Sequence, residues 1–408
     1  MDFKHTTLDN GLTLIAEVNP AAASLACGFF VRTGSRDETP EVSGVSHFLE
    51  HMVFKGTERR SAADVNREFD DMGAQYNAFT SEENTVYYAA ALPGFQRQLL
   101  DVLCDILRPA LRADDFDLEK GVILDEIAVY EDQPKFRVYE KLMGEHFRGH
   151  GLGNAILGTA ESVGALRRDD MLAYFRRRYS PRNLTVVGVG AMEHDAFVEQ
   201  VTEMCGGWPA FDAERATPRA GDRGGRRILH DTKLQRQHIG LMSPAPSAQD
   251  DARYAAMLAA RVLGDDTGSR LFYALVDPAI ADEASTAYSS FDGEGAFMTF
   301  LSAEADRAPE ALRIAHREME RFRDEGPTEA ELRAAKNKIA ADATTHGELP
   351  MGRLTSVGAD WVYRREYKPL PEQIEELLAV PVQQVHDVIR TYDLPATTLL
   401  ALGPRDEL

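Results

Sequence analysis

Two histidines and a glutamate lie within the short segment His47-Phe48-Leu49-Glu50-His51. An α-helix has 3.6 residues per turn, so side chains at positions i and i+4 share a face and both imidazoles can bind one ion. Glu50 lies beside them, close enough to contact a water molecule on that ion. Two histidines and a carboxylate with one open position are typical of a catalytic zinc site, and H-x-x-E-H is the inverted form of the zinc-protease helix motif. The segment therefore predicts a metal-binding helix.

A further protein ligand is expected from another helix, as a carboxylate or a histidine. Residues 113–127 are typical of a helix, because acidic residues fill the first turn, where they complement the helix dipole. Glu119 and Glu126 are seven residues apart and so lie two turns apart on that helix. Glu126 is a candidate ligand, and Glu119 could reach the same site as a second acid. The same residues would also suit a solvated acidic face.

The segment from His47 to Thr57 closely resembles the active-site helix of the insulin-degrading enzyme and mitochondrial processing peptidase family, also called the pitrilysin family. Its members are zinc peptidases of the inverzincin type. Glu126 follows His51 by 75 residues, the separation at which the family carries its third zinc ligand. Further resemblances are spread over the whole chain, at residues 8–14, 73–81, 179–184 and 268–272. The chain resembles a short, two-domain member of the bacterial type.

The resemblance implies a catalytic Zn2+ ion bound by His47, His51 and Glu126. Glu50 would accept a proton from a zinc-bound water as general base and then donate it to the leaving nitrogen as general acid. Glu119 would orient a zinc ligand or adjust the charge of the site.

Asn77, Ala78 and Phe79 resemble the strand at the edge of the family's substrate cleft. Peptides add to that strand by β-augmentation, in which backbone pairing gives affinity and side-chain pockets give selectivity. The three residues also suit an ordinary strand beside the core.

The segment 209–226 is rich in proline, glycine and charged residues and has no apolar periodicity. It predicts a linker between a catalytic zinc-binding domain, 1–208, and a second domain, 227–408. Both halves mix strands with long amphipathic helices, which indicates an α+β fold. The two halves also resemble copies of one duplicated sequence, and the second half lacks the metal ligands. The resemblance implies two homologous α/β-sandwich domains that form a clamshell around a peptide.

The second half departs from the family's pattern at one place. Active members carry an Arg and a Tyr that bind the substrate carbonyl and stabilise the oxyanion. Tyr288 resembles that catalytic Tyr, but Ala281 stands where the Arg is expected, and no basic residue lies between Arg270 and Tyr288. A missing oxyanion donor typically costs ~10²–10³ in rate. Either a same-family partner supplies the Arg/Tyr pair in a homodimer or heterodimer, or this chain uses another donor. Arg270 belongs to a different signature and is expected to be structural.

Composition excludes several other classes. The net charge of −21 disfavours binding to nucleic acid or to anionic lipid. No segment approaches the ~18–20 apolar residues of a membrane span, and the first residues lack the basic and apolar regions of a signal peptide. Cys27, Cys104 and Cys205 are few and odd in number, which favours buried thiols in a reducing compartment, so we expect a cytoplasmic protein.

These observations predict a zinc-dependent metalloendopeptidase that cleaves short or unfolded peptides in a two-domain chamber, as the zinc-bearing subunit of a dimer. Two alternatives share the fold: a noncatalytic, core-complex type subunit that only binds peptides, and a chaperone-like chamber that holds them. The complete set of metal-site residues argues against the first. Slow, zinc-independent capture of peptides would be the mark of the second.

Overall fold

The computed structural model describes residues 1–221 and 223–408. These residues form two compact units, and neither unit is continuous in sequence. Unit 1 comprises residues 1–128, 154–216 and 345–369, whereas unit 2 comprises residues 129–153, 217–344 and 370–408. Each half of the chain therefore contributes a segment to the unit that the other half mainly builds.

Unit 1 contains a six-stranded sheet with the strand order β1-β2-β6-β3-β5-β4. Its strands are β1 (Asp2–Thr7), β2 (Thr13–Val18), β3 (Leu25–Val31), β4 (Gln75–Thr80), β5 (Thr85–Ala91) and β6 (Leu184–Gly190). Neighbouring strands are antiparallel except β2 and β6, which are parallel. β4 is an edge strand.

Unit 2 contains a five-stranded sheet with the order β7-β11-β8-β10-β9. Its strands are β7 (Gly225–His230), β8 (Arg236–Pro244), β9 (Glu283–Ser290), β10 (Gly295–Glu304) and β11 (Thr398–Gly403). β7 and β11 are parallel, and the other neighbours are antiparallel. Counted from β2 and from β7, the two sheets have the same order and the same directions, so the predicted duplicated α+β fold is confirmed.

Helices accompany both sheets. In the described residues they are α1 (Val45–Val53), α2 (Ala62–Asp71), α3 (Gln96–Ile106), α4 (Ala113–Glu131), α5 (Pro134–His146), α6 (Ala160–Ala165), α7 (Arg168–Arg178), α8 (His194–Cys205), α9 (Arg253–Gly264), α10 (Ala308–Glu325), α11 (Glu329–Gly347), α12 (Pro350–Arg364), α13 (Leu370–Ala379) and α14 (Val382–Thr391). None of them has both the length and the apolar character that a membrane span requires.

Helix α12 belongs to unit 1 although it lies late in the sequence. Its apolar residues Leu354 and Val357 pack in one buried cluster with Phe30 of β3. A side chain at Gly358 would lie 2.1 Å from the Phe30 ring, so a glycine permits this close approach of helix and sheet. Arg353 also forms a buried two-point ion pair with Glu17 of β2, at 2.7–3.0 Å. Apolar burial and this ion pair fix α12 on the first sheet.

Helix α5 makes the reciprocal contribution to unit 2. Val138 and Leu142 pack with Leu400 of β11 and Met242 of β8. The domain limits 1–208 and 227–408 stay a prediction. The compact units do not follow these limits at two helices, because α5 lies in unit 2 and α12 lies in unit 1. The exchange follows from the apolar faces of these two helices, which are buried against sheets far away in the sequence.

The predicted linker is partly fixed to unit 1. Arg215 donates two hydrogen bonds to the Asp37 carboxylate, at 2.7 and 2.9 Å. Arg178 donates to the carbonyl oxygens of Ala213 and Glu214. Charged side chains therefore order a segment that lacks an apolar face, and strand β7 begins at Gly225. The three cysteines are buried and free, as expected from their number.

Candidate active site

Helix α1, which carries His47, Glu50 and His51, is fixed at its first turn. Gly44 precedes the helix in the left-handed conformation, with φ 91°. The Glu38 carboxylate accepts hydrogen bonds from the backbone N–H groups of Gly44 and Ser46, both at 2.7 Å. These bonds satisfy amide groups that a helix start leaves without partners. Burial nevertheless raises the pKa of Glu38 to about 8.

An aromatic contact brings the acidic helix α4 against α1. The rings of Phe48 on α1 and Phe116 on α4 stack, with centroids 4.6 Å apart. Phe116 lies one turn before Glu119, so Glu119 faces α1 as well. Glu126 lies two turns further along the same helix. The stacked rings thus position both acids beside the histidines.

The side chains of His47, His51 and Glu126 converge, with one potential ligand atom from each within 4.8 Å of the others. Glu126 Oε2 lies 3.8 Å from His47 Nε2 and 3.5 Å from His51 Nε2. These distances are too long for hydrogen bonds. Two ligands on a tetrahedral zinc ion with bonds of ~2.0–2.2 Å are separated by about 3.3–3.6 Å. The donor set and its spacing therefore fit one zinc ion with a further position for water.

His47 is neutral at physiological pH. Burial and, second, the neighbouring His51 lower the pKa of His47 from 6.5 to about 3. A neutral imidazole keeps a lone pair that a metal ion can accept. Its Nδ1 atom is buried, and no residue in the described ranges offers it a hydrogen-bond partner.

His51 is held by a carboxylate on the ring nitrogen that points away from Glu126. Glu119 is only 3% exposed, and its Oε1 lies 2.9 Å from His51 Nδ1. A proton on Nδ1, shared with this carboxylate, leaves the Nε2 lone pair free for a metal. Glu119 Oε2 lies 2.6 Å from the Lys55 ammonium. This geometry suits the predicted role of Glu119 in orienting a zinc ligand.

Glu50 lies on α1 between the histidines but is not one of the three converging ligands. Its Oε2 accepts a hydrogen bond from the Thr80 hydroxyl at 2.7 Å. Burial raises the pKa of Glu50, and the hydrogen bond from Thr80 opposes that rise. A raised pKa suits a carboxylate that must accept a proton and later donate it near neutral pH.

Strand β4, which carries the predicted substrate-binding residues, is paired with β5 and with no other strand in the described part of the chain. Its backbone therefore has an open edge. Side chains alternate along it: Asn77 and Phe79 are exposed, and Phe79 is 40% exposed. Ala78 shares its face with Thr80, the residue that contacts Glu50 of α1.

Tyr288, the predicted oxyanion Tyr, lies on β9 of unit 2. Its hydroxyl donates a hydrogen bond to the carbonyl oxygen of Pro246 at 2.8 Å, and burial raises its pKa. Its catalytic role stays a prediction. Arg270, which was expected to be structural, binds the Glu331 carboxylate at 2.7 and 2.9 Å. Ala281, the residue at the position where the resemblance predicts an Arg, is buried and has no side-chain hydrogen-bond donor.

Sequence reasoning did not identify Thr80 or Lys55. The alternation of β4 could have placed Thr80 on the same face as Ala78, but nothing local indicates that this face meets α1. Lys55 follows His51 by four residues, yet α1 ends at Val53, so helical spacing does not apply to it. Both residues act through contacts that only the tertiary structure defines.

Comparisons with known proteins agree with this geometry. The family described as Insulinase (Peptidase family M16) matches residues 13–160, and the Peptidase M16 inactive domain matches residues 165–339. An uncharacterized zinc protease of Streptomyces coelicolor is 31% identical, over 98% of this chain and 89% of the relative. The uncharacterized zinc protease YmxG of Bacillus subtilis is 30% identical, over 98% of each chain.

Solved structures show the same fold. A protease from Helicobacter pylori superposes with a TM-score of 0.91 at 21% identity, over 99% of both chains. The names of the relatives and the His–His–Glu donor set together confirm the predicted cofactor, Zn2+. The matched domains cover most of the sequence, and the chain belongs to the insulinase family of zinc peptidases, peptidase family M16.

Proposed function

We propose that this chain is a zinc-dependent endopeptidase of the H-x-x-E-H type that cleaves short or unfolded peptides. The observation that carries the proposal is the convergence of His47, His51 and Glu126 beside a carboxylate, Glu50, that is not one of the three ligands. A site that only stored a metal would need the three ligands alone. A separate, partly buried acid beside them suits a reaction in which a proton moves.

Each residue has a distinct part in the proposed reaction. Zinc, when bound, supplies a polarised water whose pKa lies near neutrality. Glu50 accepts a proton from that water and then donates it to the nitrogen of the cleaved peptide bond. The Thr80 hydroxyl holds one oxygen of Glu50 in place. Glu119 keeps the His51 ring in the orientation that leaves Nε2 free.

The open edge of β4 is the proposed docking place for the substrate. An extended peptide can pair with the backbone of Asn77, Ala78 and Phe79, as a further strand of the sheet. A segment can do this only while its own backbone is unpaired, so short or unfolded peptides suit the site better than folded proteins. Backbone pairing also implies broad sequence selectivity.

A partner subunit is part of the proposal. The resemblance places Ala281 where the family carries its Arg. The Tyr288 hydroxyl on β9 donates a hydrogen bond to the carbonyl oxygen of Pro246. We propose that a same-family chain in a homodimer or heterodimer supplies the Arg/Tyr pair. Counted from β2, the first sheet has the same strand order as the second, so the proposed partner would be a further chain built from the same repeat.

The proposal is tested by the metal content and peptidase activity of His51→Ala. Wild-type protein should carry about one zinc ion per chain, and the variant should lose most of it, because a catalytic site has only three protein ligands. Zinc is measured by atomic emission and hydrolysis with an unfolded peptide. His230→Ala, at an exposed histidine of β7, is the matched control and should keep both properties. Stoichiometric zinc in a variant that lacks both His47 and His51 would place the site elsewhere.

A further inference from the structure

We propose that Lys55 is a positioning residue of the metal centre, which acts through Glu119 to fix the orientation of His51. The inference rests on the proposed zinc site, and it concerns how tightly that site binds the metal. In the described part of the chain, the Lys55 ammonium forms its ion pair with Glu119 and not with the proposed ligand Glu126. Its ammonium lies 2.6 Å from Glu119 Oε2, and the other oxygen of the same carboxylate lies 2.9 Å from His51 Nδ1.

Burial makes this ion pair important for Glu119. The Glu119 side chain is nearly inaccessible to water, whereas that of Lys55 is about one-third exposed. A buried carboxylate that loses its cation is left with an uncompensated charge, which is strongly unfavourable. We expect the side chain to turn away from α1 in that case. His51 Nδ1 would then lose its acceptor.

The two histidines differ in how they are held. His51 has the Glu119 carboxylate behind it, whereas the buried Nδ1 of His47 has no hydrogen-bond partner among the described residues. Second partners of this kind fix the tautomer and the ring orientation of histidine ligands. Among the described residues, Lys55 therefore holds Glu119, and Glu119 in turn orients the His51 ring.

The backbone of Lys55 is itself fixed. Its N–H donates to the carbonyl oxygen of Met52 at 3.1 Å, in the turn that ends α1. Its carbonyl oxygen accepts a hydrogen bond from Arg112 at 3.3 Å. Lys55 therefore approaches Glu119 from a defined position and can hold the carboxylate in place.

Charge balance gives Lys55 a second effect. Three carboxylates, from Glu50, Glu119 and Glu126, surround the two histidines. The Lys55 ammonium offsets the charge of Glu119, so Glu119 can orient His51 without adding a further net negative charge to the centre. A neutral residue at position 55 would leave the centre more negative, which by itself favours a cation, so the loss of zinc affinity expected of Lys55→Met comes from the released Glu119 side chain.

The test is a double-mutant cycle read out as the zinc dissociation constant, measured by competition with a chelator. Lys55→Met and Glu119→Gln should each weaken zinc binding by about 10–100-fold, the usual effect of removing a partner of a metal ligand. Because Lys55 acts through Glu119, the double variant should bind zinc no more weakly than Glu119→Gln. Lys55→Arg, which keeps the charge, should recover most of the affinity.

Lys120→Met is the matched control. Lys120 is adjacent to Glu119 on α4, but its ammonium binds the carbonyl oxygens of Gly164 and Leu166. This variant should bind zinc like the wild type.

The double variant leaves no unpaired buried charge, so its comparison with Glu119→Gln remains decisive even where Lys55→Met folds poorly. Wild-type affinity in Lys55→Met, or additive losses in the double variant, would overturn the inference, whereas failure of wild-type protein to bind zinc would instead overturn the proposed function.

Discussion

Replacing Glu50 with glutamine should abolish peptide hydrolysis and leave the zinc content at the wild-type level. Glu50 lies beside the three converging ligands without being one of them, so its loss should not release the metal. Removal of a general base commonly costs 10²–10⁴ in rate. The measurement is the turnover of an unfolded peptide by Glu50→Gln, together with the zinc content of the same preparation.

Two further variants make the Glu50 result specific. Glu126→Gln removes a proposed ligand of the same chemical type, so it should lose zinc as well as activity. Thr80→Val leaves the Glu50 carboxylate in place but removes the hydroxyl that binds it at 2.7 Å. It should keep its zinc and lose a smaller part of the rate than Glu50→Gln. Hydrolysis by Glu50→Gln at near wild-type speed would show that another group moves the proton.

The isolated chain should cleave peptides weakly, and a same-family partner that carries the Arg/Tyr pair should raise the rate by ~10²–10³, the usual value of an oxyanion donor. The reason is Ala281, which stands where the family resemblance leads us to expect an Arg. The rate is measured with and without the partner, and the mass of the active species is determined in parallel.

Substitution of the partner's Arg separates two ways in which the partner could act. A partner that donates its Arg to the reaction should lose its effect on the rate while assembly is unchanged. A partner that only orders the substrate cleft should keep its effect. Full turnover by this chain as a monomer would contradict the partner requirement altogether.

Local sequence signals were sufficient for many elements of the fold. Ser61 begins α2, with its hydroxyl accepting from the Asp64 N–H, and Gly73 follows the helix in the left-handed conformation, with φ 60°. Asn77, Ala78 and Phe79, which were predicted to belong to a strand, lie within β4. Helix caps, glycines that end helices and the alternation of side chains along strands depend only on neighbouring residues, so they can be recognised in a single sequence.

Contacts between distant residues could not be predicted in this way. The apolar residues Leu118 and Val122 of α4 are exposed, Leu118 by 68%, while the acid Glu119 between them is buried. Glu119 is buried because it meets His51 and Lys55, and periodicity contains no information on those partners. The exchange of α5 and α12 between the units has the same cause, since each helix buries its apolar face against a sheet that is remote in sequence.

The candidate site was predictable in part. The spacing of His47 and His51 alone places both rings on one helix face. Glu126 was a candidate ligand from its place on the acidic helix, but only the family resemblance favoured it over a solvated acidic face, because no local pattern relates residues that are 75 positions apart. Thr80 and Lys55 were not predicted, because each reaches the site from another element or from beyond the end of a helix.

The most direct test of the zinc site is a crystal structure of zinc-loaded protein, with diffraction data collected on both sides of the zinc absorption edge. The Glu50→Gln variant suits this experiment because it should hold the metal without cleaving peptides. We expect one anomalous peak per chain, at ~2.0–2.2 Å from His47 Nε2, from His51 Nε2 and from a carboxylate oxygen of Glu126. A peak bound to other side chains, or no peak at these residues in a preparation that contains stoichiometric zinc, would contradict the assignment.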